Sequence, residues 1–159
     1  MKYMRNILKP LFILIIAFMM NSLNAQDWPN FKEFKEANAL LPQVSQNEKR
    51  VVFMGNSITI GWLQTHPDFF KNKPYVNRGI SGQTTPQMLL RFRADVVDLN
   101  AAAVVLLAGT NDIAGNTGPV TLKMILDNIK SMTEIAHANG IKVILCSVLP
   151  AFDYPWSPG

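Results

Sequence analysis

Metal-binding and redox residues are scarce in this chain of 159 residues, which holds one cysteine and two histidines. One thiol cannot close an internal disulfide, so stability has to come from a packed core, and the apolar segment around Cys146 makes it a core residue rather than a nucleophile. The histidines and the cysteine are scattered without ligand spacing, so no metal and no other cofactor is expected. Charge is also sparse, at 16% of residues against 48% hydrophobic, which fits one globular domain rather than a disordered tail or a multi-domain assembly. The net charge of +4 comes mostly from Lys2, Arg5 and Lys9. Beyond Ala25, 12 basic residues face 11 acidic ones, which leaves no electrostatic footprint for nucleic acid. No lysine completes a phosphate-cradling loop after Gly55, no G-x-G-x-x-G marks a dinucleotide site, and no G-x-S-x-G elbow marks an α/β-hydrolase lipase. Internal repeats and low-complexity stretches are absent as well.

The long apolar run that a membrane span needs, roughly 20 residues, is also missing. The run from Leu11 to Met20 is shorter, follows a basic start, and leads to Asn21, Ser22 and the small Ala25. That is the layout of a secretory signal peptide over residues 1–25, cleaved after Ala25. Export to the periplasm or the exterior is expected, with no stable membrane span after cleavage. No cysteine near that point could carry the lipid of a lipoprotein.

Residues 26–49 form a mixed lead-in with Trp28, Phe31 and Phe34 as anchors, and a short helix is predicted from about Asn30 to Leu40. Beyond Arg50 the texture changes. Short apolar runs, at Val51–Met54, Tyr75–Val76, Ala102–Leu107 and Lys142–Val148, fill consecutive positions, as parallel strands covered on both faces do. Helices lie between them. One starts at Thr84-Thr85-Pro86 and aligns Met88, Leu89, Phe92 and Val96. Another spans about Val120 to Ala138, with Leu122, Ile125, Leu126, Ile129, Met132 and Ala136 at helical spacing, and stops at Asn139-Gly140. The alternation predicts an α/β fold, a three-layer α/β/α flavodoxin-like sandwich around a parallel sheet, over residues 50–159.

Ligands of such sheets bind at the carboxyl ends of the strands. Three polar segments fall there. In Gly55-Asn56-Ser57-Ile58, Ser57 is placed with its hydroxyl exposed and its N–H at a helix N-terminus. In Asn77-Arg78-Gly79-Ile80-Ser81-Gly82, Gly79 lets its amide approach a ligand. In Gly109-Thr110-Asn111-Asp112, the Asn111 side chain can donate to a developing negative charge. Each also has a plain reading: Ser57 as a helix cap, Gly79 as a turn glycine, Asn111 and Asp112 as turn residues. Their order and common position favour a shared site.

Over Arg50 to Gly159 these blocks resemble the SGNH hydrolases, the GDSL-type esterases and lipases. Gly55-Asn56-Ser57-Ile58 is similar to the first block, with Asn56 where many members carry aspartate. Gly79 corresponds to the second block, and Gly109-Thr110-Asn111-Asp112 to the third. The resemblance implies the SGNH hydrolase fold, with Ser57 as nucleophile and the amides of Ser57 and Gly79 and the side chain of Asn111 as oxyanion hole. Asn56 and Asp112 support them. It also implies a secreted acylhydrolase that cleaves acyl or acetyl esters of lipids or carbohydrates, with a small-molecule ester as its partner. Three fixed donors suit ester hydrolysis, which builds a negative oxygen on the former carbonyl.

A serine hydroxyl also needs a base, and members of that family supply it from a late D-x-x-H block, which this chain lacks. His137 fits the end of a helix. His66, in a loop after the Ser57 helix, is a weak substitute. Ala151 to Gly159 reads as a loop after a strand, so the chain is expected to be incomplete at its C-terminus by roughly 40 to 70 residues. The alternative functional expectation is therefore an inactive remnant or a ligand-binding module of the same fold. Trp62, Phe69 and Phe70 are expected in core packing, with an acyl pocket as the alternative.

Overall fold

The computed structural model describes residues 27–45 and 47–155, so the expected leader lies outside the described residues. Along the chain come α1 (Lys35–Ala39), β1 (Val51–Gly55), α2 (Ser57–Thr65), α3 (Pro67–Phe70) and β2 (Tyr75–Gly79). They are followed by α4 (Thr85–Phe92), a π-helical turn (Arg93–Val97), β3 (Ala103–Leu107), α5 (Thr110–Ile113), α6 (Leu122–Ala138) and β4 (Lys142–Leu145). All strand pairings are parallel, in the order β2-β1-β3-β4. The α/β fold expected from the alternation is therefore present.

Alternation along β1 separates two packing layers. Val52 and Met54, with Val104 and Leu106 of β3, are fully buried in the cluster that holds Met88 and Phe92 of α4, Val96 of the π turn, and Met132 and Ala136 of α6. Each such side chain contributes roughly 1.5–3 kcal/mol on burial. Phe53 points the other way, where Trp62, Phe69, Phe70 and Tyr75 surround it at centroid distances of 5.2 to 5.8 Å, mostly edge-on. Edge-to-face pairs of this kind add about 0.5–1.5 kcal/mol each beyond area burial. Trp62, Phe69 and Phe70 thus serve core packing, although Trp62 keeps 38% of its surface exposed.

Helix α2 sits close on the sheet because the strands end in glycine. A Cβ on Gly55 would run into the Thr59 side chain of α2, whose Cβ would be 3.0 Å away, and one on Gly79 would lie 2.8 Å from the same Thr59 Cβ. The α4 start is as expected, with Thr84 as N-cap and its N–H donating to Gln87 Oε1 at 3.1 Å. Beyond Phe92 the helix widens, and Asp98 N–H donates to Arg93 O at 2.9 Å, the five-residue spacing of a π turn.

Four sequence expectations need correction. The lead-in is helical only over Lys35–Ala39, because Asn30 takes a left-handed φ of 61° and the Asp27 carboxylate accepts from the amides of Phe31 and Lys32 at 2.9 and 3.0 Å. Those two bonds build a turn in place of the first helical residues. Cover on both faces holds for β1 and β2 but not at the β4 edge, where Ile144 and Leu145 are 54% and 56% exposed. On α6, Leu122 and Leu126 are exposed while Ile125, Met132 and Ala136 are buried, so its apolar residues form two stripes of which one meets the core. Cys146 is half-buried rather than a core residue.

Candidate active site

Because β2 and β3 flank β1 on opposite sides, the chain reverses its winding direction at β1, and the polar strand ends meet at that switch point. Asn56 leaves β1 in an extended conformation and caps α2: its Oδ1 accepts from Ile58 N–H at 3.0 Å. The cap is therefore Asn56, not Ser57. Ser57 occupies the first helical position, is exposed, and has no hydrogen-bond partner for its hydroxyl among the described residues. The Asn56 Nδ2 is fully buried and lacks a partner among the described residues, a cost that an aspartate at this position would not carry in the same form.

At the end of β2 the structure departs from the expected role of Gly79. Its N–H donates to Asn77 Oδ1 at 2.9 Å, and Asn77 Nδ2 donates to the Thr59 carbonyl at 2.7 Å. Gly79 is buried, its amide is engaged, and its missing Cβ makes room for α2. Its role is packing, not free donation. Three residues further on, Gly82 takes a left-handed φ of 75°, is exposed, and has no partner for its amide among the described residues. Sequence reasoning holds Gly82 in the same polar segment but gives the donor role to Gly79, although the Ser81-Gly82 pair is a turn signal just after the strand.

After β3, Gly109 turns the chain with a φ of 114° and starts α5. Asn111 is buried, and its Nδ2 donates to the Gln83 carbonyl at 2.9 Å, which sets the third strand end beside the residue next to Gly82. One Nδ2 hydrogen remains for another acceptor. Asp112 is also buried. Both of its oxygens accept from Thr85 N–H at 3.0 Å, and Oδ1 takes the Thr85 hydroxyl at 2.5 Å. Asn128 of α6 donates to that hydroxyl at 3.0 Å. Asp112 thereby satisfies the N-terminus of α4 and ties α4, α5 and α6 together.

A cleft of about 470 Å³ opens beside this site, lined by residues that include Ser81, Gly82, Gln83, Asn116, Thr117 and Trp28. The larger cavity, about 780 Å³ between the lead-in and Ala94 to Leu99, contains none of the strand-end residues. Neither histidine is near the serine. His66 caps the far end of α2, nine residues on, which is roughly 13 Å along a helix rising about 1.5 Å per residue. It shares a 2.8 Å contact with Thr65 Oγ1. His137 lies with Gly140 to Val143 at the entrance to β4, at the opposite end of the strands from Ser57. Among the described residues there is no cluster of His, Cys, Asp and Glu that could hold a metal.

A parallel sheet wound in both directions, with Gly-Asn-Ser after its first strand and Gly-Thr-Asn-Asp after its third, defines the SGNH class of fold. The family model of the GDSL-like lipase/acylhydrolase family matches residues 53–159. The chain belongs to that family. Among solved structures it is similar to a candidate acylhydrolase from Bacteroides fragilis, with 55% identity and a TM-score of 0.82 over 84% of this chain and 64% of that one. A GDSL-like lipase from Bacteroides thetaiotaomicron is similar at 57% identity and a TM-score of 0.80, over 82% of this chain and 64% of that one. A Bacillus subtilis protein described as an uncharacterized lipoprotein, YqeF, is 34% identical over 120 residues, 65% of this chain. The chain spans 49% of that relative's length and 64% of each of the two solved chains.

Proposed function

We propose that this protein is a serine esterase of the acylhydrolase type, in which Ser57 attacks the carbonyl carbon of a carboxylic ester. The observation that carries this reading is the uncapped, exposed Ser57 hydroxyl at the switch point, with Asn111 at the neighbouring strand end. Attack forms the Oγ–C bond and drives the carbonyl electrons onto oxygen. Donors for that oxygen are the Ser57 amide at the start of α2, the Gly82 amide in its left-handed turn, and the second Nδ2 hydrogen of Asn111. Collapse expels the alcohol, and water then hydrolyses the acyl-serine. Attack also calls for a base to take the Ser57 proton, and neither His66 at the far end of α2 nor His137 before β4 is placed to do so.

Substrates in this reading are acyl or acetyl esters of lipids or carbohydrates, and the protein works after export. Export is supported by the leader-like first 25 residues and by the lipoprotein description of the Bacillus relative. The sole cysteine, Cys146, is no anchor for a lipid at the leader's end. Among the described residues no helix is long and apolar enough to cross a membrane.

A fluorophosphonate probe on the full-length gene product tests the assignment. Labelling at Ser57, lost together with aryl acetate hydrolysis in Ser57→Ala, is expected. Hydrolysis by Ser57→Ala at the wild-type rate rejects it.

A further inference from the structure

Arg91 is fully buried on α4, yet no step of ester hydrolysis calls for a cation there. Its guanidinium reaches the roots of two site loops, and through Gln83 of the second it is linked to a third. Nη2 donates to the Gly55 carbonyl at 3.3 Å and the Arg78 carbonyl at 2.9 Å, and Nε donates to Gln83 Oε1 at 2.6 Å. Gly55 is the last residue of β1, two before Ser57. Arg78 precedes Gly79 at the end of β2, where the turn to Gly82 begins. Gln83 comes directly after Gly82, and its carbonyl holds Asn111 Nδ2. The remaining nitrogen, Nη1, donates to Asp95 Oδ2 at 2.8 Å.

The lead-in closes this network from outside. Asn38 donates to Asp95 Oδ1 at 2.7 Å and accepts from Arg78 Nε at 2.8 Å, while the Phe34 ring lies 4.7 Å from the Arg78 guanidinium. Gln83 Nε2 donates to the Pro29 carbonyl at 2.8 Å. Burial lowers the pKa of Arg91, opposed by the hydrogen bond and charge of Asp95, and it lowers that of Arg78 to about 10. A guanidinium keeps its proton in proteins, so both side chains are cations. Two buried cations with one buried carboxylate between them are a poor source of stability, because desolvating each ion costs several kcal/mol. A planar fork with five donors is instead well suited to fixing several acceptors at set angles.

We infer that Arg91 is a positioning residue that fixes the loops of Ser57, Gly82 and Asn111 relative to one another through the Gly55 and Arg78 carbonyls and the Gln83 side chain. This rests on the serine esterase reading above. Arg91 touches no substrate; it sets where the oxyanion donors stand. Lysine cannot replace it, since one ammonium with three donors cannot span acceptors on opposite sides of a planar fork.

The test compares the full-length gene product with Arg91→Lys, Gln83→Met and a control, Met132→Ala, whose side chain is buried in the core away from the strand ends. Arg91→Lys is expected to lower kcat on an aryl acetate by about 10- to 100-fold with KM within twofold, the cost of donors misplaced by about an ångström. Gln83→Met, which loses one link, should fall between it and wild type. Met132→Ala is expected to lose thermal stability at least as much while keeping kcat within twofold. Amide hydrogen exchange over residues 55–58 and 78–84 should rise more in Arg91→Lys than in Met132→Ala. Equal kcat losses in variants of equal thermal stability, or exchange that tracks stability alone, overturn the inference. If Arg91→Lys does not fold, Gln83→Met decides by the same criteria. Hydrolysis that survives Ser57→Ala rejects the esterase reading instead, and exchange then still judges the clamp.

Discussion

Replacing Asn111 by alanine removes a donor that holds the Gln83 carbonyl and, in the proposed mechanism, also serves the oxyanion. One Nδ2 hydrogen holds the Gln83 carbonyl at 2.9 Å, and the side chain is 3% exposed, so no water takes its place readily. Losing that bond costs about 0.5–1.5 kcal/mol, and leaving the carbonyl unsatisfied raises the total toward 1–3 kcal/mol of stability. The other hydrogen is the one assigned to the developing oxyanion. Its loss costs about 10² to 10³ in kcat, or roughly 3–4 kcal/mol of transition-state stabilisation. The two effects separate in the assay. Steady-state hydrolysis of an aryl acetate by the full-length gene product should show the fall in kcat at nearly constant KM, because the donor acts on a charge that the ground state lacks. A urea titration should show the smaller stability loss. A folded Asn111→Ala variant with kcat within threefold of wild type, or one in which KM rises and kcat holds, refutes the reasoning.

Two further substitutions separate neighbouring roles. Gly79→Ala places a Cβ 2.8 Å from Thr59 Cβ, and urea unfolding should show a loss of about 1–3 kcal/mol from overpacking against α2; an unchanged midpoint removes the packing role argued for this glycine. His66→Ala should leave fluorophosphonate labelling of Ser57 within twofold of wild type, since the imidazole lies at the far end of α2, and a tenfold fall in labelling rate would restore His66 as a base.

Much of the candidate site is legible in the sequence because it lies next to features that the sequence marks strongly. Ser57 and Asn111 each stand within a few residues of the end of an apolar run, and a parallel sheet exposes the residues just beyond its strands. Gly79 shows the limit of that signal: proximity to a strand end shows that a residue is near the candidate site, not whether its amide is free. The competitor is the side chain of Asn77 two residues earlier, an engagement that depends on rotamer and on the position of Thr59 across the helix. Gly82 carried only a turn signal. Nothing in the order of residues around Arg91 announces a buried cation, since Arg91 on an amphipathic helix between Leu90 and Phe92 reads as a solvated residue.

The sequence by itself determined the alternation of strands and helices, the cap at Thr84, and the family blocks, because these depend on neighbours within about four residues. Only the tertiary structure decided which amide stays unengaged, which apolar stripe of α6 meets the core, and that Gln83 stands between Arg91 and Asn111. Three bonds of that network join residues 8 to 36 positions apart: Arg91 to Gln83, Asn111 to Gln83 and Arg91 to Gly55. Their physical cause is the crossover of each helix over the sheet, which brings distant backbone carbonyls within reach of one guanidinium and leaves no local pattern by which to foresee it.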